Sequence, residues 1–327
     1  MKFQIRIVLA LAVLSTAFIY SQSDSDFVVR SVDKISDNSE FRMHIRGNYP
    51  QSYYDSLLPV NSRVPNKIDP FNTEINYAAL AGVGAITLGT GIAVHIYQRN
   101  AWWKDQRSSF HFTNDWEYAL YIDKVGHFYG ANLLAHLFSA GLEAGNIQSE
   151  QAAIYGSVAA LAFQLYVEIE DGFGPNWGFS PGDAIANVLG SGYALGQYYF
   201  PYLKNFQFKF SYWPSQKMKD GTHKGNGIDD YEGQIYWLSL RMKNLLPKSI
   251  SEYWPAWLCL AGGLSVRNLD GIGGGQREFY IALDLDAEEI PLHGSGWQFV
   301  KNTLNYIHFP MPGIRVTPDA AFFVFTF

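Results

Sequence analysis

The sequence predicts an α+β fold: a small-residue-rich bundle of about four helices, followed by an antiparallel β-sheet or partial barrel. Two periodicities carry that prediction. Between Tyr77 and Tyr199 small and apolar residues recur at three- and four-residue spacing, as on helices in close contact, whereas beyond Pro201 the repeat falls to two, as on two-faced strands. A third observation concerns function. Charged residues stand inside the otherwise apolar helical half, where each must be paired, neutralised or used. The organisation expected is a signal segment over 1–22, a polar segment over 23–72, a helical domain over 73–202 and a strand-rich domain over 203–327.

The signal segment rests on Lys2 and Arg6, the apolar run from Ile7 to Tyr20, and the small polar exit Ser21-Gln22-Ser23-Asp24, the pattern of an export signal. The run is short for a membrane-spanning anchor, so cleavage is expected near Ser21 or Gln22. Tyr77 to Tyr97 is long and apolar enough to cross a bilayer, and Trp102, Trp103, Lys104 and Arg107 follow it as residues do where a helix meets headgroups. Three further helices are expected at about Tyr121 to Ala144, Ser149 to Glu170 and Pro181 to Tyr199. Their small residues, such as Gly126, Gly130, Gly156 and Gly190, permit close helix contact in a membrane, and the alternative is a water-soluble bundle with an alanine-rich core.

Strands follow from alternation at Phe206 to Tyr212, Tyr236 to Met242 and Phe279 to Asp286, with further strands at Trp257 to Val266 and Ala321 to Phe327. Ser295 to Ile307 has the phase of a short amphipathic helix. Five or six strands are too few for a closed membrane barrel, so a sheet packed on the helices or a partial barrel around them is expected. The aromatic face from Phe206 to Tyr212, and Phe323, Phe325 and Phe327, should meet lipid or the helices.

Composition excludes some classes. A net charge of −6 without a Lys/Arg block lacks the footprint of a nucleic-acid binder. The single Cys259 excludes an internal disulfide and a thiolate metal cluster, and it lies far from a lipoprotein position. The partners expected are membrane lipid or envelope components; no oligomeric state, cofactor or metal can be named.

The candidate site comprises Asp123, His127, Glu168 and Asp183, supported by Lys124, Asp171, Ser180 and Asn187. Asp123 and His127 share a helix face four residues apart, an arrangement that suits an acid/base pair or two metal ligands; alternatively Asp123 stabilises the helix start and His127 packs. Lys124 points elsewhere and is available to neutralise a carboxylate. Ser180-Pro181-Gly182-Asp183 reads as a capped helix start, which leaves Asn187, one turn further on the Asp183 face, unexplained. Glu168, Glu170 and Asp171 end a helix where negative charge opposes the dipole, so Glu168 or Asp171 should face a compensating group, while Glu170 is expected to be solvated. The glycine- and aromatic-rich loop from Asp171 to Phe179 lacks the ligand spacing of an EF-hand and is expected to pack over the site. No nucleophile elbow, P-loop or zinc-protease motif is present.

The run Asp123-Lys124-x-x-His127-Phe128, the acids Glu168 and Asp171, then Trp177-Gly178-Phe179-Ser180-x-x-Asp183 with Asn187 resembles the YfiM-like family of uncharacterised bacterial envelope proteins, described as predicted periplasmic lipoproteins. The order of motifs is also similar to VanZ-like membrane proteins. The resemblance covers about Tyr121 to Tyr199 and implies an envelope location, with no reaction. A lipobox cysteine is lacking, and the added strand-rich part resembles Bacteroidetes-type envelope proteins. Two function classes follow: a structural or assembly protein whose polar network fixes helix packing, or a hydrolase-like or metal-dependent enzyme acting on a lipid or cell-wall-linked substrate.

Overall fold

In a computed structural model the chain is described over residues 74–327, apart from Trp102, Asp105, Gln106, Lys224 and Ile272. The expected signal and polar segments lie outside the described residues, as does Trp102 of the headgroup motif. The fold is α+β. Four long helices come first: α1 (Tyr77–Ala101), α2 (Ile122–Ala144), α3 (Ser149–Asp171) and α4 (Pro181–Tyr199). Six strands follow, β1 (Phe206–Tyr212), β2 (Gln234–Leu240), β3 (Leu258–Arg267), β4 (Gln276–Leu285), β5 (Met311–Thr317) and β6 (Ala321–Thr326), with helix α5 (Ser295–Leu304) between β4 and β5.

Glycine sets the spacing of α2, α3 and α4. A Cβ added at Gly190 of α4 would lie 2.1 Å from the Phe128 carbonyl oxygen of α2, and one at Gly156 of α3 would lie 2.6 Å from the Ser139 backbone nitrogen. Buried Ala131, Ala135, Ala152 and Ala160 extend these close approaches. Helix α4 begins as its residues dictate, with Pro181 in the first turn and Ser180 Oγ accepting the Asp183 N–H at 3.1 Å. Helix α1 touches α2 where Leu80 and Val83 meet Gly145 and Gly141, and leaves Leu88, Ile92 and Ile96 exposed. Among the described residues two helical stretches, Tyr77–Asn100 and Ser149–Asp171, are long and apolar enough to cross a membrane; only 6% of the most apolar window of the first is buried.

The sheet runs β1 to β6 in chain order with every pair antiparallel. Its two faces are opposite in character. Phe208 and Phe210 pack on Phe128 and Tyr129 of α2, at ring separations of 4.6 and 5.6 Å. The intervening Lys209 and Ser211 are buried on the other face with Trp237, Tyr280 and Asp284. There Lys209 Nζ lies 2.7 Å from Asp284 Oδ2, Asp284 Oδ1 lies 3.0 Å from His308 Nδ1, and the His308 ring stacks on Trp237 at 3.9 Å. The sheet curls until Trp213, after β1, meets Phe327, after β6, with ring centres 5.0 Å apart. It is a partial barrel whose inside joins these buried charges to an apolar cluster of Ile235, Trp237, Ala261, Tyr280 and Ala282.

Across the outer face one row of neighbours reads Phe208, Leu238, Gly262, Ile281, Ile314 and Phe322. Helix α2 covers its β1 end, whereas Ile281, Ile314 and Phe322 are exposed. Several expected boundaries shift. Met242 lies in a short helical turn rather than in β2, and α5 stops at Leu304 instead of Ile307. Strand β5 was not expected, because Pro312-Gly313 interrupts the alternation.

Gly190→Ala should cost about 1–3 kcal/mol, since the new methyl meets backbone and must push α4 from α2. Gly192→Ala, with nothing within 4 Å of the added carbon, is the control and should leave stability unchanged or raised. Thermal unfolding of both variants in detergent checks this, and equal melting temperatures would contradict the close-contact role of Gly190.

Candidate functional site

The end of α3 and the starts of α2 and α4 lie at one level, which brings Asp123, His127, Glu168 and Asp183 together. Lys124 is the hub. Its ammonium lies 2.9 Å from Asp123 Oδ2, 3.0 Å from Asp115 Oδ1 and 2.8 Å from Asp183 Oδ1, with 8% of the side chain exposed. The expectation that Lys124 points elsewhere on its helix is therefore corrected: it faces into the cluster. Three carboxylates from α2, α4 and the segment before α2 offset the cost of burying this cation.

His127 lies beside the hub. Its Nδ1 is 3.4 Å from Glu168 Oε1, and its Nε2 is 3.8 Å from both Asp123 Oδ1 and Asp183 Oδ1. Its side chain is 23% exposed, against 2% for Glu168. His127 Nδ1 and Glu168 Oε1 are buried atoms with no well-formed hydrogen bond, although they face each other. Asp123 is held further by Tyr231, whose hydroxyl donates to Oδ1 at 2.6 Å. Burial, with the Asp123 charge adding to it, keeps the Tyr231 phenol well above its usual pKa, so it remains a donor.

The other expected residues divide. Ser180 caps α4 and donates from Oγ to Asp115 Oδ1 at 2.5 Å, so it joins the hub through Asp115. Asn187 accepts from Gln164 at 3.1 Å, one turn away from the charged groups. Asp171 is not engaged with the hub by contact: it accepts the Trp103 indole N–H at 2.5 Å. Glu170, expected to be solvated, is half-buried and paired with Arg107 at 2.7 Å. The loop after α3 packs through Phe173 and Phe179 onto Phe110, at 5.3 and 6.0 Å.

Asp115 and Tyr231 were absent from the expected site. Both lie off the periodic helices, where no pattern points inward; the only signal was a lone acid upstream of a helix start. The backbone between Asp115 and the hub is strained. Ala119, Leu120 and Tyr121 have φ of 47°, 57° and 73°, left-handed values that cost about 1–2 kcal/mol per residue. Arg277 braces this turn, donating from Nε to the Leu120 carbonyl at 3.2 Å with its guanidinium 4.9 Å over the Tyr121 ring. The strained turn directs Asp123 and Lys124 toward α4 at the first turn of α2.

Asp123, His127 and Asp183 each present a ligand atom within 4.8 Å of the others, a spacing that suits a metal ion. Lys124 already lies within 2.9 Å of both carboxylates, so a divalent cation would compete with a buried ammonium for the same charge. The donor set therefore favours proton chemistry over metal binding.

Residues 111–199 match the model of a family described as "Predicted periplasmic lipoprotein (DUF2279)". All of Asp115, Asp123, Lys124, His127, Glu168, Asp171, Ser180, Asp183 and Asn187 fall inside that stretch, and α1 and the sheet fall outside it. The similarity, to a family without an assigned reaction, supports an exported, envelope-associated protein. Cys259, the single cysteine, is buried in β3 and so does not carry the lipid that the family description implies. No curated protein and no solved structure matches the chain.

Tyr231→Phe removes the hydroxyl that Asp123 accepts and should cost about 1.5–3 kcal/mol, the range for a hydrogen bond to a charged group. Chemical denaturation of the purified variant checks it; a loss below about 0.5 kcal/mol, the range of an ordinary surface change, would mean that Tyr231 does not support the hub.

Proposed function

We propose that the protein is embedded in an envelope membrane, the outer membrane in keeping with an aromatic last strand, Ala321–Thr326, followed by Phe327, and that His127 and Glu168 form an acid/base pair for a lipid or cell-wall-linked substrate. The embedding is supported by an inverted distribution of polarity. Lys209, Asp284 and His308 lie inside the sheet, while Ile281, Ile314 and Phe322 lie on its bare outer face and Leu88, Ile92 and Ile96 on α1. A water-soluble fold would bury the second set first.

The observation that carries the acid/base assignment is the His127–Glu168 contact beside the Lys124 hub, where two buried polar atoms without a hydrogen bond, His127 Nδ1 and Glu168 Oε1, face each other. Lys124 has three carboxylate partners and needs no ligand. Glu168, facing Nδ1 at 3.4 Å, orients the imidazole; the ring and the carboxyl together can take a proton from an attacking water and return it to the leaving group. The 23% exposure of His127 gives a substrate access that the more buried carboxylates lack.

The structural or assembly reading draws on a different observation, the saturation of Lys124. The two divide the cluster: Lys124 with Asp115, Asp123 and Asp183 fixes the helices, and His127 with Glu168 acts.

His127→Ala and Glu168→Gln should each fail to complement a strain deleted for this gene while the protein remains at wild-type abundance in the membrane fraction. Envelope permeability to a large antibiotic, together with immunoblotting, reads both quantities. Full complementation by His127→Ala would remove the acid/base role; loss of abundance before loss of complementation would assign the pair to structure. Wild-type protein should also stay in the pellet after alkaline carbonate extraction, and release into the supernatant would contradict embedding.

A further inference from the structure

A cavity of about 480 Å³ opens beside the end of α1, lined among others by His95, Arg99, Trp103, Lys104, Arg107 and Glu170. Among the described residues that line it, Arg99, Lys104 and Arg107 outnumber the acids, of which there is Glu170. The walls are fixed by contacts that leave two of the cations unused. Trp103 is tied to Asp171 through its indole N–H, His95 Nδ1 meets the Tyr166 hydroxyl at 2.6 Å, and Arg107 pairs with Glu170 while lying 4.5 Å over the Phe173 ring. Arg99 and Lys104 are exposed, and among the described residues neither has a charged or hydrogen-bonded partner.

Cations near a helix C-terminus offset the dipole, which accounts for Arg99. It does not account for Lys104 and Arg107, which lie past the helix end, or for the cavity between them. The volume is that of a small-molecule site. Its place is also specific: α1 is the most exposed apolar helix, and Trp103 with these cations stands where such a helix leaves hydrocarbon.

We infer that this cavity binds the phosphate of an anionic phospholipid headgroup, with Arg99 and Lys104 facing the phosphate oxygens and Trp103 walling the glycerol end. The inference rests on the membrane embedding proposed above. It is independent of the acid/base pair, because Glu168 and Glu170 stand on opposite sides of α3.

The test uses the full chain purified in neutral detergent, titrated with short-chain phosphatidylglycerol, short-chain phosphatidylcholine and inorganic phosphate, with bound species counted by native mass spectrometry. Phosphatidylglycerol should bind one to one and more tightly than the other two. Replacing both cations, Arg99→Gln with Lys104→Gln, should weaken it about 30-fold, from roughly fivefold per basic residue near an anionic headgroup. Both side chains are exposed, so the variant's melting temperature should match the wild type. Equal binding by the variant, equal binding of phosphatidylcholine, or free phosphate binding as tightly as the lipid would each overturn the assignment. Because the assay takes place in detergent, its failure is distinct from a failure of carbonate extraction.

Discussion

Everything at the functional end of this molecule depends on one buried cation. Lys124 joins α2 to α4 and to the segment carrying Asp115, and without its charge three carboxylates would share a site with 8% of the lysine side chain exposed. Removing one partner of such a cluster costs about 3–5 kcal/mol because the remaining charges are left uncompensated. The strained turn at Ala119 to Tyr121, the cap at Ser180 and the Tyr231 hydroxyl all serve to bring these charges to one point. Once the hub is set, His127 has little choice of position: α2 carries it one turn beyond Asp123, between Glu168 on one side and Asp183 on the other.

The hub requires helices at short range, and glycine supplies that. Gly190 brings the α4 backbone against Phe128, the residue following His127, so the same contact that packs the bundle fixes the distance across the site. The sheet then supports α2 from below. Phe208 and Phe210 present aromatic rings to Phe128 and Tyr129, and Tyr231, entering β2, reaches Asp123. On the enclosed face, beside the apolar cluster around Trp237 and Tyr280, the charges of Lys209, Asp284 and His308 are offset by pairing among themselves.

Much of this was legible in the sequence, for physical reasons that can be named. Asp123, His127, Glu168 and Asp183 stood out because ionisable groups on apolar helices need partners. Lys124 was misplaced because helical phase alone put it off the Asp123–His127 face, whereas its long side chain reaches around to three acids. Asp115 and Tyr231 lie in irregular segments, which have no period to read. In β1 the alternation correctly separated Phe208 from Lys209 and put the aromatic residues on the face that meets α2, whereas in β6 Phe323, expected to meet lipid or the helices, packs on Tyr280 inside the sheet. Strand β5 was hidden by Pro312 and Gly313, and the curl that brings Trp213 to Phe327 is a property of the whole sheet rather than of any window.

The most direct measurement is a double-mutant cycle between Lys124 and Asp183, using Lys124→Met, Asp183→Asn and the pair, with unfolding free energies measured in detergent. If the buried ammonium organises the site, the two losses will be strongly non-additive, with a coupling of about 2–3 kcal/mol. Losses that add to within about 0.5 kcal/mol would show that the two groups do not depend on each other, and the hub would not be what holds the site together.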